Sequence, residues 1–467
     1  MWSKLSTHNL FKEFVQKAAE KFKSIDKRRT VRVISHIDSD GISAASILLS
    51  TLTKLKYRYS ISFVKQLDLE TVNELAKEDH INYIFTDLGS GQLKEIVSKF
   101  ENKQVFILDH HIVQNAKLKE NVVHINPMLF GIDGSMEISG SGVVYMFCNC
   151  INPKSVSMAH IALVGAIGDK QDKKKFSKLN NEILEEAIKE GKIKTKKGVR
   201  FFGRQTRPLR KLLEYCTDPY IPGVTGSPEG AIEFLNSLNI PFKRGEKNRK
   251  VVDLSEDEMK RLIKGIIKKR KDEKNPKDIF GTIYVVCEEE LGSPLKDAKE
   301  FSTLLNACGR LGKASLGVGV CMGSKKSKED AIDLLKSYKK EILSAIKWYE
   351  ANKDGEDVRK GKGFIIINAK ANIIPTLAGT LASILSYSSE MKNLSHFFVL
   401  AQNVDGTTKV SARYLGNDDK NVEEILKNVI KKVGGESGGH KLAAGAVIPT
   451  SKENDFIEKL ENELKEH

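Results

Sequence analysis

The sequence contains no apolar run near the roughly 20 residues that a bilayer-crossing helix needs. Its first segment, residues 1 to 27, is charged and amphipathic, without the apolar centre of a secretion signal. These absences exclude a membrane-spanning class and give the cytoplasm as the expected location. The six cysteines (Cys148, Cys150, Cys216, Cys287, Cys308, Cys321) form no CxxC pair and no zinc-module spacing, which fits a reducing compartment in which thiols are small core residues. Internal repeats, low-complexity tracts and long Pro-rich linkers are also missing, so solenoid and fibrous classes fall away.

Acidic residues are outnumbered, 61 against 76 basic ones, which leaves a formal net charge of +15. A field of that sign raises encounter rates with phosphate backbones and supplies non-specific affinity for them. The alternative is a lysine-rich, thermally adapted surface in which the excess is incidental. A hydrophobic share of 40% and a charged share of 29% belong to a folded globular chain. At 467 residues, two or three domains are expected.

Residues 1–190 read as repeated strand-to-helix units, the signal for an α/β domain with a parallel sheet covered on both faces. The runs VRVIS (31–35), YIFT (83–86) and VFIL (105–108) are each followed by acidic or histidine residues. Ligands bind beyond the carboxyl ends of such strands, so these residues converge on one edge. Residues 191–275, rich in Lys and Arg, read as a basic linker with small helices. A second, smaller α/β domain is expected over 276–467. Its strand candidates are GTIYVVC (281–287), ASLGVGVCM (314–322), GFIIIN (363–368), FFVLAQ (397–402) and TKVSAR (408–413). The charged stretch 324–362 has helical spacing and predicts an inserted helical hairpin.

The string SHIDSDG places His36, Asp38 and Asp40 in alternation after a strand, so in extended backbone all three point the same way. Asp87 ends the next apolar run (YIFTDLGSG); Asp109, His110 and His111 end the one after (VFILDHH); and Asp169 follows the small-residue pattern ALVGAIGD. A single aspartate after a strand is usually a turn residue or helix cap. Four such sites on successive element ends are the signature of a metal centre. Imidazole and carboxylate without thiolate suit Mn²⁺, Mg²⁺ or Fe²⁺ better than structural Zn²⁺, and a bridged pair of ions hydrolyses phosphoesters or phosphoanhydrides.

HIDSDG, TDLG, DHH and GAIGD, in that order, resemble the DHH phosphoesterase superfamily. The resemblance implies that His36 and Asp38 hold one metal, Asp40, His110 and Asp169 the other, and that Asp87 bridges them. It further implies that His111 faces the scissile phosphate and that Asp109 orients a histidine, with direct ligation by Asp109 left open.

Near the C-terminus, GGESGGHKLAAGAVI (434–448) puts His440 behind Gly438 and Gly439, where the backbone can approach an anion closely. A tight turn before a final strand would look the same. TKVSAR adds Ser411 and Arg413 on one strand face, a hydroxyl and a guanidinium suited to a phosphate or base. Together these resemble the DHHA1 domain, which implies an active site in the cleft between the two domains and substrate contacts from Ser411, Arg413, Gly438, Gly439 and His440. LLNACGRLGKA (304–314) resembles archaeal RecJ-like proteins and adds Asn306 and Arg310 as substrate contacts. RFFGRQTRPLRK (200–211) interleaves Phe201 and Phe202 with basic residues; it reads either as a base-stacking track or as an amphipathic helix with a buried Phe pair.

The resemblance implies a RecJ-like, single-strand-specific exonuclease of DNA or RNA in replication or repair, using two divalent ions, Mn²⁺ first and Mg²⁺ second. Precedent in bacterial RecJ favours 5′ to 3′ action on DNA. A short-oligonucleotide or cyclic-dinucleotide phosphodiesterase stands beside it, and a replisome scaffold that binds GINS is the alternative of another class. No membrane partner is expected.

Overall fold

The computed structural model describes residues 6–173, 175–216, 219–273, 275–386, 391, 393–416 and 421–466. The chain divides into two compact units, Met1–Leu334 and Leu335–His467.

The first unit opens with α1 (Thr7–Lys23), β1 (Val31–His36), α2 (Ser39–Lys54), β2 (Tyr59–Val64), α3 (Leu69–Lys77), β3 (Asn82–Thr86), α4 (Leu93–Lys99), β4 (Gln104–Leu108) and β5 (Val122–Ile125). The five strands make one parallel sheet in the order β2-β1-β3-β4-β5. From β1 the chain runs out to β2 and returns on the other side of β1 as β3, so the topological switch, where open sheets bind ligands, lies between β1 and β3. β3 is buried along its whole length, which explains its unbroken apolar run. Ile34, Phe85 and Ile107 pack with Val72, Leu93, Ile96 and Phe100 in one core. Next come α5 (Gly140–Ile151), α6 (Ala159–Gly168) and α7 (Lys178–Lys189). Phe22 of α1 meets Phe106 of β4 and Phe147 of α5 edge-on, at 5.5 and 5.7 Å between ring centroids.

β6 (Ile193–Val199), α8 (Leu209–Glu214), α9 (Pro228–Ser237), the hairpin β7 (Lys243–Arg244) and β8 (Lys247–Asn248), α10 (Glu256–Lys269) and β9 (Phe280–Val286) follow. β6 and β9 pair antiparallel. The stretch between them folds round its own core of Val199, Phe201, Leu212, Phe234, Leu262, Ile266 and Ile279, more structure than a linker carries. Two of its helices, α8 and α9, are short, while α10 carries Met259, Leu262, Ile263, Ile266 and Ile267 at helical spacing.

Two elements differ from the sequence expectation. ASLGVGVCM is the helix α12 (Ala314–Cys321), not a strand; it follows α11 (Ala298–Arg310). Its glycines serve close packing, because a Cβ on Gly317 would meet the Ile42 side chain of α2 at 3.0 Å. In place of the hairpin expected at 324–362 stands one 28-residue helix, α13 (Lys325–Asn352), because no Gly or Pro interrupts residues 325–352 and the first glycine comes only at Gly355. The division between the units falls within it.

The second unit contains β10 (Val358–Gly361), β11 (Phe364–Asn368), α14 (Ala378–Ser386), β12 (His396–Gln402), β13 (Thr407–Tyr414), α15 (Val422–Val433), β14 (Glu436–His440), β15 (Ala443–Pro449) and α16 (Glu453–Glu466). Its sheet runs β10-β11-β12-β13-β15-β14, with β11 and β12 parallel and the other pairs antiparallel. Phe398, Leu400 and Val410 join Leu426, Val429, Phe456 and Leu460 in one core, and Ile365, Phe397 and Val399 join Leu381 and Tyr349 in another. The α/β class expected for both ends of the chain is the class observed. Among the described residues no helix is long and apolar enough to cross a membrane.

Candidate metal centre

Each expected ligand stands at the end of an element around the β1/β3 switch. His36 ends β1, and Asp38 caps α2 by accepting from Gly41 N–H at 3.0 Å. Asp40 lies in the first turn of α2, fully buried. Asp87 follows β3 with φ +60°, a left-handed backbone that aspartate tolerates better than most residues, and its N–H donates to the Leu108 carbonyl at 2.9 Å. Asp109, His110 and His111 follow β4, and Asp169 caps the C-terminus of α6.

Three clusters of donor atoms result, each fitting within 4.8 Å: His36, Asp38 and Asp87; Asp40, His110 and Asp169; and Asp87, Asp109, His110 and His111. Asp87 belongs to two of them. Its Oδ2 lies 3.6 Å from His36 Nδ1 and its Oδ1 lies 3.3 Å from His110 Nε2. Asp169 Oδ2 is also 3.3 Å from His110 Nε2.

The donors fit a cation. Among the described residues, His36 Nδ1, Asp40 Oδ2, both Asp87 oxygens and His110 Nε2 are buried without a hydrogen bond, although each unsatisfied buried polar atom costs about 1–3 kcal/mol. Burial, then the charges of Asp87 and Asp169, push the Asp40 carboxyl well above the ordinary range. Burial, with Asp38 and Asp87, raises Asp169 to about 7. Burial opposes protonation of His36 and His110, yet Asp38 and Asp87 for the first, and Asp87, Asp169 and Asp40 for the second, hold both well above the usual imidazole value. The site has an excess of negative charge that a hard divalent ion would relieve.

Neighbouring groups fix the donors. His110 Nδ1–H donates to the Gly134 carbonyl at 2.6 Å, which turns the Nε2 lone pair towards the carboxylates. Asp109 Oδ1 lies 2.7 Å from His111 Nδ1 and accepts His110 N–H at 2.8 Å, while Oδ2 accepts Ser90 N–H at 2.9 Å. Sequence reasoning missed Ser141, whose Oγ–H donates to Asp40 and whose N–H reaches the same oxygen at 3.2 Å. It also missed Ser90 and Asn126, which donates to the His111 carbonyl at 2.9 Å. The one local signal was the SGSG opening of α5, a helix start made of small residues.

The expected substrate residues are placed as follows. Asn306 Oδ1 accepts Ser39 N–H at 3.0 Å, and Arg310 is the last residue of α11. In the second unit, Ser411 and Arg413 share a face of β13, and Arg413 donates from Nε to Ser383 Oγ at 3.0 Å and from Nη1 to the Ala412 carbonyl at 2.7 Å. Ser383, on α14, gave no sequence signal. Gly438 and Gly439 lie in β14 opposite Gly445 and Ala444; the His440 side chain lies outside the described residues. In the segment 200–211, Phe201 is buried and Phe202 is exposed, with the Arg207 guanidinium 4.7 Å from its ring centroid. Helix starts only at Leu209.

The N-terminal domain model of the DHH family matches residues 30–168, the DHH-CID domain model 201–280 and the DHHA1 domain model 363–466. The chain is 30% identical to an uncharacterized protein of Methanocaldococcus jannaschii over 447 residues, 93% of both chains. The chain belongs to the DHH family. This DHH chain is also 23% identical, over 84% of its length and 66% of the relative's, to a Bacillus subtilis prophage-derived protein provisionally named a single-strand DNA-specific exonuclease. Its fold is similar to that of Thermus thermophilus RecJ in complex with Mn²⁺, with a TM-score of 0.58 and 16% identity, over 97% of this DHH chain and 55% of that one. It is similar also to Entamoeba histolytica CDC45, with a TM-score of 0.66 and 13% identity, over 97% and 98% of the two chains.

Proposed function

We propose that the protein is a metal-dependent, single-strand-specific exonuclease that hydrolyses terminal phosphodiester bonds of DNA or RNA, with 5′ to 3′ action on DNA favoured. The observation that carries the reading is the carboxylate of Asp87, which faces His36 on one side and His110 on the other. His36 and Asp38 would hold one ion and Asp40, His110 and Asp169 the second, with Asp87 between. Two such ions, Mn²⁺ first and Mg²⁺ second, supply an activated water and neutralise charge on the phosphoryl group. Asp109 holds His111 by its Nδ1, which keeps the other ring nitrogen for a phosphate oxygen. Ser411, Arg413, Gly438, Gly439 and His440, with Arg310, would bind the strand. Supporting observations are the net charge of +15, the exonuclease name of the Bacillus subtilis relative and the likeness to RecJ solved with Mn²⁺.

The likeness to CDC45 favours a second reading, a replisome scaffold with GINS as its partner. The unpartnered buried donors argue against a purely structural role, since such atoms cost stability unless something uses them.

The test is incubation with Mn²⁺ and single-stranded DNA and RNA labelled at either end, beside duplexes and a short dinucleotide, with Asp87→Asn as control. Progressive shortening of single strands that the substitution abolishes supports the exonuclease. Hydrolysis of the dinucleotide alone replaces it with the short-oligonucleotide reading, and no cleavage with any metal turns it to the scaffold.

A further inference from the structure

The loop that carries His36, Asp38 and Asp40 is held from outside the residues matched by the DHH-family domain, by a single helix. Ser39, between the two aspartates, is the first residue of α2, and the N–H groups of a helix's first turn have no partner within the helix. Asp38 satisfies one of them, on Gly41. The N–H of Ser39 is taken instead by Asn306 Oδ1, at 3.0 Å across 267 residues of sequence.

One turn further along α11, Gly309 presses on the same loop. A Cβ there would fall 1.6 Å from the Ile37 carbonyl oxygen, so only glycine allows α11 this close. The other end of α11 is fixed too. Asp297 caps it, Glu300 accepts Gln205 N–H at 2.7 Å and is bonded by Thr206 Oγ1, and Lys299 lies 3.3 Å from Asp172, three residues beyond Asp169. Thus α11 touches both the loop between His36 and Asp40 and the turn that follows Asp169.

We infer that Asn306 is a positioning residue of the metal centre: its amide oxygen, by holding Ser39 N–H, sets the angle at which Asp38 and Asp40 meet the ions. The inference rests on the metal-site reading above but not on which nucleic acid is cleaved. Asn306 needs no contact with substrate to act.

The test is Mn²⁺ affinity, read by titration calorimetry and by the Mn²⁺ electron-spin-resonance signal, on the full chain carrying Asn306→Leu or Asn306→Asp. Leucine keeps the volume and removes the acceptor; aspartate keeps an oxygen in the same place. Asn306→Leu should weaken Mn²⁺ binding about tenfold, the scale on which groups that orient ligands act, and lower kcat with little change in KM. Asn306→Asp should restore affinity to within about twofold of wild type, since a carboxylate oxygen accepts the same bond. Melting of the metal-free proteins shows whether the substitution only unfolds α11, and Asn306→Ala repeats the measurement if leucine disturbs the packing. Mn²⁺ affinity unchanged in both Asn306→Leu and Asn306→Ala would overturn the inference, as would an aspartate variant as weak as the leucine one. Failure of wild type itself to bind Mn²⁺ would instead overturn the metal-site reading.

Discussion

Gly165 of α6 lies so close to Asp40 of α2 that a Cβ on it would sit 2.4 Å from a carboxylate oxygen of Asp40 and 2.2 Å from Ser141 Oγ. In an exposed helix, replacing glycine by alanine stabilises by about 1 kcal/mol. Here the added methyl must displace either the Asp40 carboxylate or its hydroxyl partner, both fully buried. Gly165→Ala should therefore lower the melting temperature and abolish high-affinity Mn²⁺ binding together. A variant that melts higher than wild type and binds Mn²⁺ normally would show that α6 can move aside.

Asp109→Asn should separate the orientation of His111 from metal ligation. Burial opposes protonation of His111, but Asp109 outweighs it and raises the imidazole to about 9. An asparagine oxygen can still accept from His111 Nδ1, whereas its amide would confront Ser90 N–H, donor against donor, where Oδ2 now accepts. Loss of one buried partner costs about 1–3 kcal/mol. The variant should be less stable by that amount, its His111 should titrate closer to the free imidazole value, and its turnover should fall roughly 10- to 100-fold. A denaturant melt, an NMR titration of the ring protons and a turnover assay check the three parts.

The candidate ligands were legible because each is local: a carboxylate or imidazole directly behind an apolar run announces itself without knowledge of the rest of the chain. Groups that reach the site across long sequence separation left no such local mark, and Asn306 stood out only through the likeness of its segment to RecJ-like proteins, as a substrate contact. Ser141 and Asn306 become neighbours of the Asp38–Asp40 loop only once α5 and α11 pack on α2. Nor did period alone distinguish strand from helix in ASLGVGVCM, since Gly and Val repeat every second residue there while Gly317 answers to Ile42 of α2 and Gly319 to Ser327 of α13. The middle stretch hid its core for a related reason: that core joins residues as far apart as Val199 and Ile279, and the period of a helix such as α10 shows that it has an apolar face without showing what the face packs on.

His160 gives the first unit a pH dependence with a definite sign. It is buried in α6, and burial, then the charge of Lys192, depresses its pKa to about 4. In the unfolded chain it titrates near 6.5. Between those values the unfolded state takes up a proton that the folded state refuses, so stability falls as pH drops from about 6.5 through about 4, by about 3 kcal/mol in the limit. His160→Gln, which cannot titrate, should lose this component. Denaturant melts of both proteins at pH 7 and pH 5 should show a smaller fall for the variant, and equal falls would mean that folding leaves the His160 pKa where it is in the unfolded chain.

A substitution at Arg413 would separate strand binding from metal binding, because Arg413 lies in the second unit while every candidate metal donor lies in the first. Its guanidinium is anchored before any substrate arrives, by Ser383 Oγ and the Ala412 carbonyl, so little side-chain entropy remains to be lost when a phosphate binds. Room beside it is tight: a Cβ on Gly379 would come within 2.7 Å of Nη2. Arg413→Ala should raise KM for a single-stranded substrate about tenfold or more, the scale of a charged hydrogen bond to phosphate, and leave Mn²⁺ affinity unchanged. Arg413→Lys should recover little, since an ammonium cannot keep both anchors and still present a planar fork. Gly379→Ala should mimic the loss in part by pushing the guanidinium aside. If Arg413→Ala left KM unaltered while the protein still shortened single strands, the strand would have to be held without the second unit's arginine.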